Sequence, residues 1–305
     1  MKDAMSGHSS VKIILALLGF LPTTARRFLF TGLAMLFYHL VPRQRLIALH
    51  NLKSAFPEKD ISEIIRIAKG SYRNLGLVAA EFFDLPTMTK ERIEQIVEIE
   101  GYDHYLHALE KGKGVLMFGG HFGNWELSAI AVSLMLKPMM VIYRSLDNPL
   151  LDEFVKSVRT SKGNILVQKQ KAMLAMNRHL RRNSIVGLLI DQNVDWREGV
   201  FVKFFGRPAC STDGLAHLSL ETGAPVIPGF LVRKPDGRYL MILGEEVEFI
   251  QTENPEVDLQ VNTQRYQQIL EDKIRQYPEQ WLWMHQRWKT KPWQAKTYAE
   301  LHSKG

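Results

Sequence analysis

Two apolar runs open the chain, and a short polar stretch that contains Arg26 and Arg27 separates them. The runs are residues 11–22 and residues 28–41, which are 12 and 14 residues long. A helix that spans a bilayer needs about 20 apolar residues, so neither run crosses one comfortably. With the arginines at the level of the lipid headgroups, the pattern favours a helical hairpin that lies in one leaflet and anchors the chain.

A signal peptide and a pair of buried core helices are the alternatives for this segment. Lys2 and Lys12 would form the basic start of a signal peptide whose apolar part is residues 13–21, but no Ala-x-Ala cleavage site follows and the second run would have no role. The two runs also fit a pair of buried core helices. We favour the anchor and divide the chain into residues 1–45, the membrane-anchoring helices, and residues 46–305, a second domain.

Beyond the anchor, helical and strand-like patterns alternate along the chain. Apolar side chains recur at helical spacing over residues 60–85, and short apolar runs bounded by turn residues are typical of buried strands. Further helices are predicted at residues 89–97, 102–110, 125–136, 150–162, 172–181, 214–222 and 263–277, and strands at residues 114–118, 139–143, 165–167, 185–190, 226–232 and 239–243. This alternation predicts an α/β fold, with a mostly parallel mixed sheet flanked by helices on both faces.

The composition fits a globular protein and narrows its chemistry. Hydrophobic residues make up 46% and charged residues 23%, which excludes a disordered chain, a collagen and a coiled coil. The single cysteine, Cys210, excludes a disulfide framework and a cysteine-based zinc cluster. Since the sequence has neither His-Glu-x-x-His nor Cys-x-x-Cys, we expect no metal.

The chain is basic, with a net charge of +7 from 39 basic and 32 acidic side chains. A basic surface can serve nucleic acid, anionic lipid headgroups or an acidic protein partner. The sequence contains none of the motifs typical of nucleic-acid binding, so we expect no nucleic acid partner.

The candidate chemistry follows the first predicted strand, at the sheet edge where open α/β folds place their sites. Residues 119–126 read GGHFGNWE, which puts His121 in a glycine-rich turn and Glu126 in the first turn of the next helix. Asn124 is the expected N-cap of that helix. Glu126 can curl back to accept the imidazole Nδ1–H, which would leave Nε2 free as a general base.

The glycines of this turn add to the catalytic interpretation. Gly120 and Gly123 allow the backbone to approach a substrate closely. The alternative is a core histidine that is hydrogen-bonded at a helix start. The succession of strand, glycine turn, His121 and helix favours a catalytic site over that alternative.

The octapeptide resembles the signature of the lipid A biosynthesis acyltransferases, the late lauroyl and myristoyl transferases of Gram-negative envelopes. This family belongs to the wider His-x4-Asp/Glu glycerolipid acyltransferase group. The resemblance extends, in family order, over roughly residues 40–292. The further matching blocks are residues 45–58, 143–144 with 146–149, 191–193, 204–206 with 212 and 214, 223–228, and 278–283 with 287 and 288.

The resemblance implies transfer of a fatty acyl chain from an acyl carrier protein thioester, or from acyl-CoA, to a hydroxyl of a lipid A precursor. It places the reaction at the cytoplasmic face of the inner membrane, among its lipids, and implies no cofactor. His121 would deprotonate the acceptor hydroxyl, and Glu126 would orient His121 and stabilise its imidazolium. Backbone amides of residues 119–123 and Arg144 are the expected donors to the oxyanion.

Two groups near other predicted strand ends are candidate substrate contacts. Arg144 ends a strand and is placed for phosphate or oxyanion contact, unless it forms a surface pair with Asp147. Asp191, Gln192 and Asn193 follow another strand at the same sheet edge, where a polar turn is the alternative.

The remaining blocks have weaker functional signals. Arg207 follows Phe204 and Phe205, which suggests a phosphate contact beside an acyl channel, although a packed loop accounts for these residues equally well. A helix face with three arginines is a solvated surface or a docking site for an acidic carrier protein; these are Arg178, Arg181 and Arg182. An interfacial belt of tryptophans is expected near the carboxyl end, although core packing would account for at least one or two of them. Its members are Trp281, Trp283, Trp288 and Trp293, with Arg287 and Lys289.

Other functions would use the same features. A thioesterase would apply the pair of His121 and Glu126 to water, but the apolar amino terminus favours a lipid acceptor. An acyltransferase for another glycolipid, such as a mannosylated phosphoinositide, or for an ornithine-type aminolipid shares the motif. A non-enzymatic membrane-binding module would leave GGHFGNWE without a purpose.

Overall fold

The computed structural model describes residues 13–169 and 172–295. Lys2, Lys12 and the start of the first apolar run, on which the signal-peptide alternative depends, lie outside the described residues. Residues 13–20 are helical. The next helices are α1 (Thr23–Leu40), α2 (Pro42–Ala55) and α3 (Ile61–Phe82), and a 3-10 turn (Leu85–Thr87) follows.

A seven-stranded mixed sheet forms the centre of the fold. The described residues form nine strands, seven of which belong to this sheet. They are β1 (Val97–Glu100), β2 (Val115–Gly119), β3 (Met139–Tyr143), β4 (Ile165–Gln168), β5 (Ile185–Leu189), β6 (Val200–Phe204), β7 (Arg207–Ser211), β8 (Val226–Arg233) and β9 (Tyr239–Leu243). The sheet has the order β1-β9-β8-β2-β5-β3-β4, whereas β6 and β7 form a separate antiparallel hairpin. Within the sheet only the β8–β9 pair is antiparallel. The expected α/β fold with a mostly parallel mixed sheet is confirmed.

Helices bury both faces of this sheet. They are α4 (Lys90–Ile96), α5 (Tyr102–Glu110), α6 (Trp125–Met135), α7 (Pro149–Thr160), α8 (Ala172–Leu180), α9 (Gly214–Thr222) and α10 (Pro255–Gln276). Alternate side chains of β2 enter two separate cores, because successive residues of a strand point to opposite faces. Leu116 and Phe118 join the core that contains α8, α9 and α10, and Val115 and Met117 join the core that contains α4 to α7.

The strands of the structure differ from the prediction in two places. Residues 97–100 form β1, a short edge strand, where the sequence pattern ends a helix at residue 97. The β6–β7 hairpin is also missing from the prediction, because its two-residue turn has no Asn-Gly or Asp-Gly signal. Instead Phe205 adopts a φ of 51° and Gly206 a φ of 70°. The ring of Phe205 is held by packing on Phe56 and Trp283, with ring centroids 5.4 and 5.6 Å away.

Two arginines of α1 form ion pairs with α3 and with Asp84, the residue that precedes the 3-10 turn. Arg26 pairs with Asp84, and Arg27 pairs with Glu81 with an Nη2–Oε1 distance of 2.9 Å. The outward side of the same segment is apolar: Phe20 is 87% exposed and Phe28 is 83% exposed. α1 is therefore not a buried core helix. Across the described ranges, we find no helix with the length and apolar character needed to traverse a bilayer.

The expected tryptophan belt is wrong for three of its four members. Trp281, Trp283 and Trp288 are at most 5% exposed and form an aromatic core under the β6–β7 hairpin, whereas Trp293 is 63% exposed. Arg287 is also fully buried, where its guanidinium donates to Cys210 O and Ser211 Oγ. These large side chains fill the space that the hairpin covers, so only Trp293 remains on the surface.

Candidate active site

The loop between β2 and α6 has a conformation that glycine and asparagine make possible. Gly123 has a φ of 59°, and a Cβ there would lie 1.7 Å from the carbonyl oxygen of Leu231. Asn124 then caps α6, because its Oδ1 accepts the backbone N–H of Leu127 at 3.0 Å. The predicted N-cap is confirmed, and the two residues fix the direction in which the loop leaves β2.

Sheet register places Asp191 beside His121. Gly119 is aligned with Leu189 in the parallel pairing of β2 and β5, and Ile190 N donates to Gly119 O at 3.0 Å, so His121 and Asp191 come opposite each other two residues further along. The imidazole Nδ1 lies 2.9 Å from Asp191 Oδ1, and the backbone N–H of His121 donates to Asp191 Oδ2 at 2.8 Å. Since a carboxylate can only accept, Nδ1 carries the hydrogen and Nε2 is free to accept one.

Asp191 is itself held by a buried tryptophan. Trp281 Nε1 donates to Asp191 Oδ2 at 2.8 Å, and the aspartate is only 3% exposed. Gly120 leaves room for this carboxylate, since a Cβ at Gly120 would lie 3.1 Å from Asp191 Oδ2. The sequence predicts Asp191 to be a substrate contact, and the structure instead brings it to the imidazole.

Glu126 does not accept the Nδ1–H of His121, so that expectation is wrong. Its carboxylate faces α7, where Arg159 Nε donates to Oε2 at 2.9 Å and Arg159 Nη2 donates to Oε1 at 2.5 Å. Trp125 Nε1 also donates to Oε1, at 3.2 Å. The physical reason is that a residue in the first turn of α6 points towards the neighbouring helix, while Asp191 already occupies Nδ1.

The electrostatics of the site favour a protonatable imidazole. Burial alone would lower the pKa of His121, but the charge and hydrogen bond of Asp191 and the nearby charge of Glu126 outweigh it, so this pKa is raised above its ordinary value. Burial would raise the pKa of Asp191, but its contacts with His121 and Trp281 hold that pKa well below the usual range. The pair therefore stabilises an imidazolium.

The free side of the imidazole faces Gln192. The Gln192 side-chain nitrogen lies 3.4 Å from His121 Nε2, and Gln192 is exposed. Asn193, by contrast, has hydrogen-bond partners within the protein. Its backbone N–H donates to His285 Nε2 at 3.0 Å, and its side-chain amide donates to Thr290 Oγ1 at 3.0 Å. Of the three residues 191–193, Gln192 is the one that presents an exposed amide next to Nε2.

Most of the expected backbone oxyanion donors already have acceptors. The N–H of His121 is bound to Asp191, that of Phe122 donates to Gly120 O at 2.7 Å, and that of Gly123 donates to Gln280 O at 2.9 Å. The expectation of an oxyanion hole from these three amides is therefore wrong. Arg144, which directly follows β3, is exposed and makes no ion pair with Asp147 in the described part of the chain.

Arg207 and its neighbours form a packed hairpin. The Arg207 guanidinium lies 4.8 Å from the centroid of the Trp288 ring, and burial lowers its pKa. Phe204 and Phe205 are buried in the aromatic core, so they do not line an open acyl channel. For these two phenylalanines, the alternative of a packed loop is therefore confirmed.

The basic helix face lies far from His121. Arg178, Arg181 and Arg182 are at the end of α8, which leads into the amino-terminal end of β5. His121 follows the carboxyl end of β2, which runs parallel to β5. The five residues of β2 span about 16 Å at about 3.3 Å per residue, which separates the two ends of the strands. This face and the candidate site are therefore on opposite edges of the sheet.

Some contributors to the site have no local sequence signal. Arg159 lies on a different helix, 33 positions after Glu126, and Trp281 reaches Asp191 across 90 positions. In the sequence, the contact of His121 with Asp191 is indicated only by the two predicted strands that precede these residues, which pair in the structure. Within the part of the chain that the structure describes, no three His, Cys, Asp or Glu side chains converge as metal ligands.

The sequence is similar to those of bacterial acyltransferases. The family model of the bacterial lipid A biosynthesis acyltransferase matches residues 5–290. The chain is 28% identical over 280 residues to a lipid A biosynthesis palmitoleoyltransferase of Escherichia coli (strain K12), covering 89% of this chain and 87% of that protein. It is 30% identical over 280 residues to a lipid A biosynthesis acyltransferase of Haemophilus influenzae, covering 89% and 86%.

A more distant relative has a different name. The chain is 24% identical over 237 residues to a phosphatidylinositol mannoside acyltransferase of Mycolicibacterium smegmatis, covering 76% of this chain and 75% of that protein. The family model nevertheless spans nearly the whole sequence, including the loop of His121 and the strand end of Asp191. The chain therefore belongs to the bacterial lipid A biosynthesis acyltransferase family.

Proposed function

We propose that this acyltransferase moves a fatty acyl chain from an acyl carrier protein thioester, or from acyl-CoA, to a hydroxyl of a lipid A precursor, with His121 as general base. The observation that carries the proposal is the fixed imidazole: Nδ1 is bound to a buried carboxylate 2.9 Å away, and Nε2 faces outward beside Gln192. Family membership supports acyl transfer to a lipid A-type acceptor.

The proposed reaction is a direct transfer. Nε2 of His121 takes the proton of the acceptor hydroxyl as its oxygen attacks the thioester carbonyl. The tetrahedral intermediate then expels the thiolate, which takes the proton from the imidazolium and leaves as a thiol. The exposed Gln192 amide and the Arg144 guanidinium are the proposed donors to the oxyanion.

Features of the chain argue against a covalent acyl-enzyme. The sequence has no Gly-x-Ser-x-Gly nucleophile motif. Cys210 is fully buried, and burial raises the pKa of its thiol to about 11, so it is a poor thiolate nucleophile. Glu126 remains in the proposal as a nearby negative charge that raises the pKa of His121, partly neutralised by Arg159.

We further propose that the enzyme works at the cytoplasmic face of the inner membrane, with its amino-terminal segment in the lipid interface. The support is the apolar outward side of residues 13–20 and α1, which includes Phe20, Phe28 and Leu40. An interfacial helix buries such a side in the headgroup region without crossing the bilayer.

The test is mass spectrometry of the lipid product. Wild-type protein, His121→Ala and the control His107→Ala, which removes an exposed imidazole on α5, are incubated with acyl carrier proteins of several chain lengths and a tetra-acylated lipid A precursor. We expect a mass gain of one acyl group with the wild type and the control, and none with His121→Ala. Transfer at the wild-type rate by His121→Ala would overturn the base assignment.

Two parallel incubations address the alternative functions. Release of free fatty acid without acylated lipid would favour the thioesterase. A mannosylated phosphoinositide acceptor is offered in the second incubation, because the Mycolicibacterium relative is named for that lipid. A mass gain only on that acceptor would identify it, and not the lipid A precursor, as the substrate. The proposed role of His121 would be unchanged.

A further inference from the structure

We infer that a cluster of basic side chains beside the apolar side of α1 binds the phosphates of anionic phospholipids. We call this cluster, which lies where α1 meets α2 and α3, the basic corner. Its members are Arg43, Arg45, Arg66, Lys69 and Arg73. The inference rests on the proposed position of the amino-terminal segment in the lipid interface, and it adds the chemistry of the headgroup that this segment meets.

The amino-terminal part of the chain carries positive charge without acidic side chains. From residue 13 to residue 57 the sequence has five lysines and arginines and no aspartate or glutamate. Two of the five, Arg26 and Arg27, form ion pairs with acidic residues further along the chain. Their charges are therefore offset within the protein, and contact with lipid phosphates is left to the cations of α2 and α3.

Arg45 lies at the point where α1 ends and α2 begins. Its Nη1 donates to His39 O at 3.2 Å and to Tyr38 O at 3.4 Å, which fixes the guanidinium over the last turn of α1. The outward side of that turn is apolar, since Leu36 is 52% exposed and Leu40 is 69% exposed. The charge thus borders an apolar surface, as it does in a helix that lies at the level of the lipid headgroups.

The ring of Tyr38 brings a second cation to the same place. The guanidinium of Arg45 lies 5.7 Å from the centroid of this ring, and the ammonium group of Lys69 lies 5.9 Å from it. The ring is buried and packs edge-on against Tyr72, with the centroids 5.1 Å apart. Contact with an aromatic ring holds a cation in position and leaves N–H donors for a phosphate.

Helix α3 extends the basic corner along one of its faces. Arg66, Lys69 and Arg73 follow one another at spacings of three and four residues, so their side chains lie on the same side of the helix. Arg66 and Arg73 are exposed, and Lys69 is half-buried. Like charges at this spacing repel one another, and an anionic surface relieves that repulsion.

No acidic side chain neutralises the basic corner. Across the described residues, none of its five members forms an ion pair. Glu63, which precedes Arg66 on α3, pairs with Lys59 at 3.3 Å. Glu279 lies against α3 at Gly70, where an added Cβ would be 2.6 Å from Glu279 Cβ, but it pairs with none of the five cations. The corner therefore keeps an excess of positive charge.

The apolar border of the corner favours a membrane over other anionic partners. Leu40 and Leu46, which is 60% exposed, flank the cations at the start of α2. An anionic bilayer offers acyl chains directly beneath its phosphates, so it can bury these leucines and pair the cations at the same time. A nucleic acid would satisfy only the charges.

The experiment compares two double variants that remove the same charge. Arg45→Gln with Lys69→Gln removes two cations of the basic corner, whereas Arg181→Gln with Arg182→Gln removes two exposed cations at the opposite edge of the sheet. Binding is measured on vesicles of phosphatidylcholine with phosphatidylglycerol and on vesicles of phosphatidylcholine alone. Melting temperatures show whether both variants fold.

Only the corner variant should lose affinity for the mixed vesicles. A basic side chain near an anionic surface contributes about a fivefold gain in affinity, so we expect this variant to bind them about 25-fold more weakly than the wild type. The control should stay within about twofold of the wild type, because charges further from the surface than the Debye length are screened. On phosphatidylcholine alone, all three proteins should bind equally.

A salt titration tests the inference without any substitution. Wild-type binding to the mixed vesicles should fall steeply as sodium chloride is added, whereas binding to phosphatidylcholine alone should not fall, because salt screens only the electrostatic attraction. Equal affinity of the wild type for the two kinds of vesicle at low salt would overturn the inference.

The outcomes separate this inference from the proposed function. If Phe28→Ser weakens binding to neither kind of vesicle, the proposed lipid interface fails, and the inference fails with it. If Phe28→Ser weakens binding to both while the corner variant binds the mixed vesicles as the wild type does, only the basic corner fails. If that variant instead has a raised KM for the lipid A precursor in neutral detergent micelles, the cations serve the phosphates of the acceptor.

Discussion

Asn124 Nδ2 donates to Glu81 Oε2 over 2.6 Å, and this bond joins the loop of His121 to α3. The same glutamate accepts two hydrogen bonds from the Arg233 guanidinium, at 2.7 and 2.9 Å, and one from the Tyr239 hydroxyl. Arg27 of α1 completes the cluster. One buried carboxylate thus connects α1, the sheet and the loop of His121.

Glu81→Gln should therefore destabilise the protein by about 3–5 kcal/mol, because it leaves Arg233 without its charge partner. Burial would raise the pKa of Glu81, but Arg233, Tyr239 and Arg27 lower it overall. The stabilisation is consequently complete above the ordinary carboxyl pKa and disappears as the pH falls through the lowered folded value. Thermal unfolding across an acidic pH series measures both effects.

The matched control for this variant is Glu98→Gln. Glu98 pairs with Lys234 at 3.1 Å, but its side chain is 65% exposed, so we expect a change within about 1 kcal/mol. Equal melting temperatures for the two variants would contradict the role of the buried cluster.

The transfer rate should rise with pH and reach half its maximum above pH 6.5. The reason is that burial, which lowers the pKa of His121, is outweighed by Asp191 and Glu126, so the pKa lies above the ordinary value of 6.5, and the base acts only when neutral. The stability of the fold has the opposite pH dependence. The ion pair of protonated His121 with Asp191 stabilises the fold fully below pH 6.5, and this contribution is lost as the pH rises through the pKa of His121 in the folded state. A kcat/KM profile with its acidic midpoint below the ordinary histidine pKa, about 6.5, would disagree with this prediction.

Gly123→Ala should abolish folding or activity. A Cβ at this position would collide with the backbone oxygen of Leu231, which cannot move without disturbing β8. Gly112→Ala is the control, since Gly112 has a φ of 70° and no atom within 4 Å of an added Cβ. It should lose only about 1–2 kcal/mol from the left-handed backbone. Soluble yield, melting temperature and turnover of the two variants provide the comparison.

Membrane association should depend on the apolar side of the amino-terminal helices. Phe20→Ser and Phe28→Ser should each weaken vesicle binding about tenfold or more, because burial of one phenylalanine contributes about 1.5–3 kcal/mol. Ile61→Ser removes another exposed apolar side chain, at the start of α3, and should leave binding unchanged. Flotation with anionic phospholipid vesicles distinguishes them, and equal binding of all three variants would argue against the proposed interface.

Much of the sheet could be predicted from sequence, because its central strands are short apolar runs bounded by turn residues. The placement of His121 after β2 and of Asp191 after β5 also followed from these runs. The partner of the imidazole did not, since the short His121–Glu126 spacing suggests a local bond. Only the aligned register of β2 and β5 reveals that Asp191 occupies Nδ1.

Other parts of the structure had no usable sequence signal. Tryptophans beside basic residues look the same in an interfacial belt and in a core, and the burial of Trp283 depends on the β6–β7 hairpin above it. That hairpin turns at Phe205, a bulky residue in a conformation that sequence propensity disfavours. Long-range packing decided both cases.

The two ion pairs of α1 have a geometric consequence. Arg26 pairs with Asp84, just beyond α3, and Arg27 pairs with Glu81 of α3. α3 also contacts the loop of His121: Asn74 Nδ2 donates to Gly123 O at 2.8 Å, and Glu81 accepts from Asn124. The exposed apolar side of α1 and the loop of His121 are consequently both held by contacts with the same helix, α3. In the proposed membrane-bound state, these contacts fix the distance of the imidazole from the lipid surface, so the proposed reaction requires an acceptor hydroxyl at that depth.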